Sequence, residues 1–446
     1  MRVASFAKAL SPWKAPGLDG IPNSVLKENA DELSPHLACI YSAAIELNLY
    51  HQTWKDSITC VLKKPGKPDY QIPKAYRPIA LLSTTAKLLS AIIADDMSCI
   101  IEQHNLLPDN HFRGIPGRTT MDALHYLVHR VKSAWRKGKV VSILFLDVEG
   151  AFPNAVTEQV LHNMRKRRIP EPYVRLINNM LMDRRTKLRF DDFLSEFRHI
   201  DNGIGQGCPL SMIIYILYNA DLLIILEDKD EDAIGYVDDA ILIAIGNTFQ
   251  ETVEKLKEMM EREGGGFEWS SEHNSRFEIT KVAVMHLSQG SGQKEDGTKI
   301  KLHELAPPLT LCGTTIEAVK SYKYLGVLID PELRWKAQTM RAIEKATKWV
   351  LLFKRLTKPS TGVRLKLMRQ LYLAVGVPKM TYALDVWYTP PHKGIGKKRN
   401  SGSVTALRQM SKIQRIATIA ITGALRSTAT DTLDAHANIP PTAVML

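Results

Sequence analysis

The sequence predicts an α/β (α+β) fold, and three observations carry that reading. Two short runs rich in Ile, Val and Leu, Val141–Leu146 and Ala233–Ala244, meet carboxylates in mid-run or at their ends and have the length of strands. Between and around them, apolar residues recur at three- and four-residue spacing, the period of helices. The chain has 446 residues, 45% of them hydrophobic, enough to fill the cores of about two or three domains.

Formal net charge is +12 and the pI about 9.3, which points to a polyanionic partner. Cysteines at 39, 60, 99, 208 and 312 show no metal-ligand spacing, and an odd number suits a reducing compartment. His125 and His129 lie four apart without the glutamate of the zinc-protease motif and read as helix-surface residues. The start of the chain has no signal-peptide core. The uncharged run 203–220 opens with three glycines and a proline, so a membrane span is not expected.

Taken in order, residues 1–24 read as a loop, because Ser11–Pro22 holds three prolines and two glycines. Residues 25–50 read as helix with a break or first turn at Pro35. Trp54–Leu62 reads as a strand leading into a basic turn. There Lys63, Lys64, Lys67 and then Arg77 could surround a triphosphate or a template backbone, or simply be solvated. Thr84–Ile101 is helical. A capping pattern at Thr119 and Asp122 opens a helix ended by Lys137-Gly138-Lys139. Residues 161–190 hold nine Lys or Arg against two acids, including Arg165, Lys166, Arg167, Arg168, Arg184 and Arg185, a candidate phosphate-contact region. Gly203, Gly205 and Gly207 alternate through a turn before a long buried helix from Met212, with Gln206 placed to meet a base and Cys208 structural. Thr248 caps a further helix, ended by Gly264–Gly266. Phe277–Met285 reads as a strand carrying Lys281, Ser288–Lys301 as an exposed loop, and Ser321–Asp330 as a hairpin or strand. Residues 336–369, with ten Lys or Arg against Glu344, read as two basic helices broken near Pro359–Gly362. A flexible linker at 389–404, containing Lys397, Lys398 and Arg399, precedes a last helix at 405–424, and the end does not read as a finished domain.

The chemistry concentrates at Tyr236-Val237-Asp238-Asp239. Two ionised carboxylates about 4 Å apart repel by roughly 4 kcal/mol at an effective dielectric near 20. A simple turn would use Asn-Gly at less cost. Asp-Asp pairs also suit solvated turns, and two more occur at Asp95-Asp96 and Asp191-Asp192. A second acidic strand, Val141–Asp147, shifts the balance: Asp147 facing Asp238 would make a two-metal site, with the Val148 carbonyl as a further oxygen. Phe152, five residues on, could lie under a nucleotide sugar or be an ordinary core ring.

These pieces resemble the reverse transcriptase of non-LTR (LINE-type) retrotransposons, especially fungal elements. The resemblance rests on Phe145–Phe152, Gly203–Ser211, Tyr236–Asp239, Lys281 and Tyr324-Leu325-Gly326. In the fingers it rests on Ala15–Ile21, Tyr76–Ile79 and Gly117–Ala123. It implies a right-hand polymerase fold: fingers with an N-terminal extension over 1–140, a palm with an antiparallel sheet over 141–330, a helical thumb over 331–388, and a linker and truncated connection over 389–446. It implies that Asp147, Asp238 and Asp239 with the Val148 carbonyl hold two Mg2+ ions, Mn2+ being an alternative, and that Lys281 assists the departing pyrophosphate. Lys63, Arg77, Phe152 (as sugar gate), Gln206 and Gly207 would serve the deoxynucleoside triphosphate, and Tyr324, Leu325 and Gly326 the primer grip. Arg165–Arg168, Arg184, Arg185, Lys354 and Arg355 would contact nucleic acid. The partners implied are an RNA template and a DNA primer or target, in the nucleus after a cytoplasmic ribonucleoprotein stage, and no membrane.

The first fingers motif begins at Ala15, and no endonuclease, ribonuclease H or zinc knuckle is recognised, so the reading expects a piece of a longer or decayed element. Two rivals stay open. A non-catalytic nucleic-acid-binding remnant would share the basic surface without needing metal, and a group II intron maturase would share the polymerase fold.

Overall fold

In the computed structural model the described residues are 2–293, 297–356, 362–394 and 400–446. The chain forms two compact units: Met1–Ala123 with Ser142–Val284 and Pro308–Ile316, and Leu124–Val141 with Met285–Pro307 and Glu317–Leu446. Of the four spans expected from sequence, 1–140 and 141–330 are divided between the two units, and 331–388 and 389–446 lie in the second.

Two four-stranded sheets are built from β1 (Ser57–Lys63), β2 (Tyr76–Leu82), β3 (Val140–Asp147), β4 (Arg184–Phe190), β5 (Phe193–Ile200), β6 (Glu231–Tyr236), β7 (Asp239–Gly246) and β8 (Ala283–Leu287). They belong mainly to the first unit, the outer ends of β3 and β8 being counted with the second. The first sheet runs β2-β1-β4-β5, with β1 parallel to β4 and the other pairs antiparallel. The second runs β6-β7-β3-β8. β3 is buried at every position before Asp147, which explains its unbroken apolar sequence: a central strand covered on both faces has no reason to alternate. The helix Ser211–Asn219 is buried all round except at Met212, so its apolar run is core. Tyr215, Tyr218, Phe145, Leu88 and Leu89 are among its unit's largest fully buried side chains.

The expected caps form. Thr119 N–H donates to the Asp122 carboxylate (2.7 Å) and Thr119 Oγ1 accepts from Met121 N–H (3.2 Å), while Thr248 Oγ1 accepts from Glu251 N–H (3.2 Å). Elsewhere the structure corrects the sequence reading. Residues Arg2–Ala9 form a helix, not a loop, because Val3, Phe6, Ala7 and Leu10 make an apolar stripe upstream of the Pro/Gly stretch. Arg2 anchors it through Asp95 and Asp96. Pro35 lies inside an unbroken helix, Ala30–Glu46; the Asp31 carbonyl that loses its donor sits on an exposed residue, where water can serve it. Trp54 belongs to a short helix, Gln52–Lys55, before β1.

In the second unit, Tyr322–Tyr324 and Val327–Ile329 form a tight hairpin across Leu325 and Gly326, both at positive φ (44° and 87°). The helix Lys336–Lys354 packs on Val404–Thr422, which Gly423 ends in the left-handed conformation. Trp349, Phe353 and Tyr372 form an aromatic cluster beside them. The end of the chain is more ordered than expected: Thr430–Ala437 and Thr442–Met445 pack on Val404–Thr422. Short ladders also occur where loop and linker were expected, Ser291–Gln293 with Lys299–Lys301 and His392–Lys393 with Asn400–Ser401. Lys397, Lys398, Arg399 and Pro359–Thr361 fall outside the described residues. No described helix is long and apolar enough to cross a membrane.

Candidate active site

β6 and β7 form a hairpin in which Tyr236 pairs with Asp239 across the two-residue turn Val237-Asp238. Val237 has φ 62°, a region β-branched residues rarely enter and which costs on the order of 1–3 kcal/mol. Three groups hold the turn. Asn219, 3% exposed at the end of the helix Ser211–Asn219, donates from Nδ2 to the Val237 carbonyl. Arg113 donates to Tyr236 Oη (3.3 Å) and lies over its ring. Residues 110–112 line the β6 edge, Gly235 N–H donating to Asn110 O (3.0 Å) and Phe112 N–H to Gly235 O (2.9 Å). His111, fully buried between those two bonds, sets Nδ1 against the Arg113 carbonyl (2.9 Å). That carbonyl places the ring proton on Nδ1. The ring faces the Asn219 amide, yet neither His111 Nε2 nor Asn219 Oδ1 completes a hydrogen bond, as expected of two acceptors that meet.

β7 lies beside β3, whose last residue is Asp147. Asp238 is exposed at the turn, yet its carboxyl is raised above the ordinary carboxylate range, first by desolvation from the protein around it and then by the Asp147 charge, with its own backbone N–H and Arg77 acting in the opposite sense. Asp147, Asp238 and Arg77 therefore share one electrostatic site. Asp239 is exposed at the start of β7. The other two Asp-Asp pairs have structural roles: Asp95-Asp96 binds Arg2, and Asp191-Asp192 turns the β4–β5 hairpin, with Asp191 at φ 46°.

Lys281 is not on a strand. It sits in a turn before β8, because Lys281 and Val282 N–H both bond the Glu278 carbonyl and close the chain on itself (2.7 and 3.2 Å). Its ammonium reaches Asp147 Oδ2 at 2.9 Å and also pairs with Glu278. Desolvation lowers its pKa, but those two partners outweigh it and leave the ammonium raised. Lys74 extends the chain of charges, meeting Glu149 at 2.8 Å and Glu278 at 3.2 Å. Lys74, Glu278, Glu149, Arg113, His111 and Asn219 were not singled out from sequence. Their partners lie 18 to 204 positions away or behave as local turn contacts, and no motif spacing marks them.

The Val148 carbonyl suits an oxygen ligand. Val148 bridges Phe277 through bonds on either side, Glu149 N–H to Arg276 O and Glu278 N–H to Asp147 O (2.9 Å each), so the bridge leaves its own carbonyl unused. No group of three or more His, Cys, Asp or Glu side chains able to hold a metal is assembled among the described residues. The donor set is nevertheless chemically right for a hard cation: oxygen atoms only, with the Asp147 carboxylate disfavouring the charge of Asp238.

Phe152 stacks on Tyr215 (4.7 Å, 21°), and Tyr215, whose hydroxyl is raised by burial first, also feels the Asp238 charge. The Gly203–Gly207 turn docks on β2. Ala80 N–H donates to Gln206 O (2.8 Å), and at Gly207, φ 127°, an added Cβ would stand 2.4 Å from the Ala80 carbonyl oxygen. The close approach made there is thus to β2. Lys63 lies over the Tyr70 ring (5.7 Å).

The basic candidates divide. Arg184, expected at the surface, is buried and donates to the carbonyls of Leu181, Asn202 and Gly203, so it clamps the glycine turn. Arg185 is held by Asp56 and stacks on Phe197 (4.7 Å). Arg165 pairs with Glu171, and Lys166 and Arg167 with Asp221, while Arg168 is exposed. In the second unit Tyr324 is 3% exposed, the Leu325 carbonyl accepts from Tyr382 Oη (2.8 Å), and Lys354 and Arg355 are exposed. There Lys345 is lowered by desolvation and by Arg341, Lys323 and Lys379. His125 pairs with Asp385 and His129 meets Ser133, so the two do not share a ligand.

Residues 62–329 match the family model for reverse transcriptase (RNA-dependent DNA polymerase). The probable RNA-directed DNA polymerase from transposon BS of Drosophila melanogaster is 27% identical over 420 residues, 91% of this chain and 43% of that protein. Its counterpart from the X-element of the same fly is 26% identical over 395 residues, 86% of this chain and 41% of that protein. The chain thus spans less than half the length of these curated relatives, and their insect source gives the expected fungal placing no support. An apo telomerase structure from Candida tropicalis aligns over 84% of this chain and 62% of that one at 10% identity, with a TM-score of 0.43, too low to transfer its parts. With its match extending over more than half of its length, the chain belongs to the reverse transcriptase family, as a domain of the non-LTR (LINE-type) retrotransposon kind.

Proposed function

We propose that this chain is an RNA-directed DNA polymerase that extends a primer 3′-hydroxyl with deoxynucleoside triphosphates and releases pyrophosphate. The observation that carries the reading is the meeting of Asp147, at the end of β3, with the exposed Asp238 of the β6–β7 turn, whose carboxyl the Asp147 charge helps to raise, inside the matched family region. Arg77 acts on Asp238 and Lys281 on Asp147, and a cation between the two carboxylates would relieve the repulsion that remains.

Asp147, Asp238, Asp239 and the Val148 carbonyl would hold Mg2+ or Mn2+. When bound, such ions lower the pKa of the attacking hydroxyl and neutralise the triphosphate. Arg77, already felt by Asp238, would meet the triphosphate, with Lys63 further along the same sheet. Lys281, held raised and protonated, would carry a proton or a positive charge to the pyrophosphate leaving group. Phe152, pinned by Tyr215, would bar a 2′-hydroxyl, and Gln206 and Gly207 would border the nucleotide. Tyr324, Leu325 and Gly326 would grip the primer, and Arg168, Arg185, Lys354 and Arg355 would contact nucleic acid. The parts would be fingers, palm and thumb of a right hand, working in the nucleus.

The exposed basic residues Arg168, Lys354 and Arg355 would serve equally in a second reading, a nucleic-acid-binding remnant without catalysis. Primer extension on an RNA template with magnesium and the four deoxynucleotides separates the two, with Asp238→Ala beside it and DNA templates and ribonucleotides as controls. Extension lost in the variant supports the polymerase. Salt-sensitive RNA binding without extension supports the remnant.

A further inference from the structure

We propose that Asn219 is a positioning residue: by holding the carbonyl of Val237 it keeps the turn in its left-handed conformation and sets the direction in which Asp238 presents its carboxylate. The inference rests on the reading of Asp238 as a metal ligand. Three observations meet at this residue. Val237 adopts φ 62° although its branched side chain opposes it, so something outside the dipeptide must hold it there. The Val237 carbonyl accepts a side-chain hydrogen bond from Asn219 Nδ2. That carbonyl belongs to the peptide plane joining Val237 to Asp238, so fixing the oxygen fixes the plane from which Asp238 departs.

Asn219 also stands at a place where an apolar residue would be cheaper. It is 3% exposed at the end of an otherwise apolar buried helix, and its Oδ1 is buried without a partner. A half-satisfied buried amide is costly, and the bond it does make is spent on the strained turn. The strand side of the hairpin is secured separately, by Asn110 and Phe112 at Gly235 and by Arg113 at Tyr236. Removing Asn219 should therefore free the turn and leave the sheet in place.

The test uses the full chain as wild type, Asn219→Leu, Val237→Gly and the double variant. The readouts are hydrogen exchange over residues 233–240 without metal, and Mn2+ uptake followed by electron paramagnetic resonance. Asn219→Leu is expected to speed exchange in that segment and to weaken Mn2+ binding by about 10–100-fold, the usual effect of losing a group that orients a ligand. Val237→Gly should bind as wild type. The double variant should recover most of the lost affinity, since glycine takes positive φ without a clamp; a merely structural role for Asn219 would not produce that rescue. Asn219→Ser, too short to reach the carbonyl, replaces Asn219→Leu if the latter does not fold. Wild-type affinity in Asn219→Leu, or a double variant as weak as the single, overturns the inference while leaving the metal site standing. A wild-type chain that takes up no Mn2+ sinks the metal reading instead. Exchange then decides the clamp alone: unchanged rates in Asn219→Leu overturn it, and faster rates reversed by Val237→Gly uphold it.

Discussion

His111 makes the acidic hairpin sensitive to acid, and the size of the effect follows from its burial. The ring is fully buried against β6, and burial lowers its pKa from 6.5 to about 4, more than its bond to the Arg113 carbonyl restores. The unfolded chain binds a proton on this ring below pH 6.5, whereas the folded chain binds one only below about pH 4. The unfolded state therefore holds more protons throughout that interval, so stability falls as pH falls from 6.5 to 4 and stays constant above it. A shift of this size corresponds to about 3 kcal/mol lost across the interval. The perturbation is His111→Gln, which keeps a donor for the Arg113 carbonyl and cannot titrate. Urea unfolding at pH 7 and pH 4.5, followed by circular dichroism, gives the comparison. Wild type should lose roughly 2–3 kcal/mol more than His111→Gln between the two pH values. Equal losses would refute the argument, because they would show that the ring is not held neutral by its surroundings.

Other perturbations test neighbouring parts of the site. Asp238→Asn should abolish primer extension while leaving the fold intact, because its side chain is exposed at the turn and its proposed role is to hold a cation. Thermal melts should show a Tm within about 2 °C of wild type, as for a surface substitution worth ~0.5 kcal/mol or less, and a large loss of Tm would mean that Asp238 holds the hairpin together. Lys281→Met should tighten Mn2+ binding to the chain alone by up to about fivefold, the limit for an exposed pair such as Lys281–Asp147, while slowing extension; weaker Mn2+ binding would mean that Lys281 organises the site. Gly207→Ala should destabilise by roughly 1–3 kcal/mol in urea melts, since its Cβ meets the Ala80 carbonyl at a φ only glycine tolerates, and a silent variant would mean that the turn is not pinned to β2.

What the sequence made legible was local. The non-alternating run before Asp147 is a central strand, the caps at Thr119 and Thr248 close on their own third residue, and the β6–β7 turn falls at Val237-Asp238, one residue before the acidic pair expected to make it. Each depends on residues a few positions apart, where spacing carries the physics. The first helix was hidden by the prolines that follow it, although Val3, Phe6 and Ala7 already had its period. Lys281 looked like a strand residue because Ile279–Met285 is β-prone, and only the turn onto Glu278 removes it from the strand. Arg184 and Arg185 are adjacent and identical in type, yet one clamps three carbonyls in the interior and the other lies between Asp56 and Phe197. Composition could not separate them, because the difference is which side of β4 faces the glycine turn.

The site also breaks local rules in a consistent direction. A β-branched residue takes positive φ at 237, a carboxylate at 238 is set against the charge of Asp147, and an amide is left half-satisfied at 219. Each departure alone would be removed by an ordinary substitution such as Val→Gly, Asp→Asn or Asn→Leu. All three act on one turn, and the first and third make sense only if the second is to be aimed. Strain gathered on a single carboxylate is what a ligand-presenting turn requires and a solvated turn does not. The charges around it fit the same account. Lys281 on Asp147, and Lys74 between Glu149 and Glu278, supply positive charge where the strands bring carboxylates together. A divalent cation entering at Asp147 would compete with Lys281 for the same oxygen and could shift it wholly onto Glu278, which it already touches. The chain thus carries a ready counter-ion for Asp147 and a second place to put it.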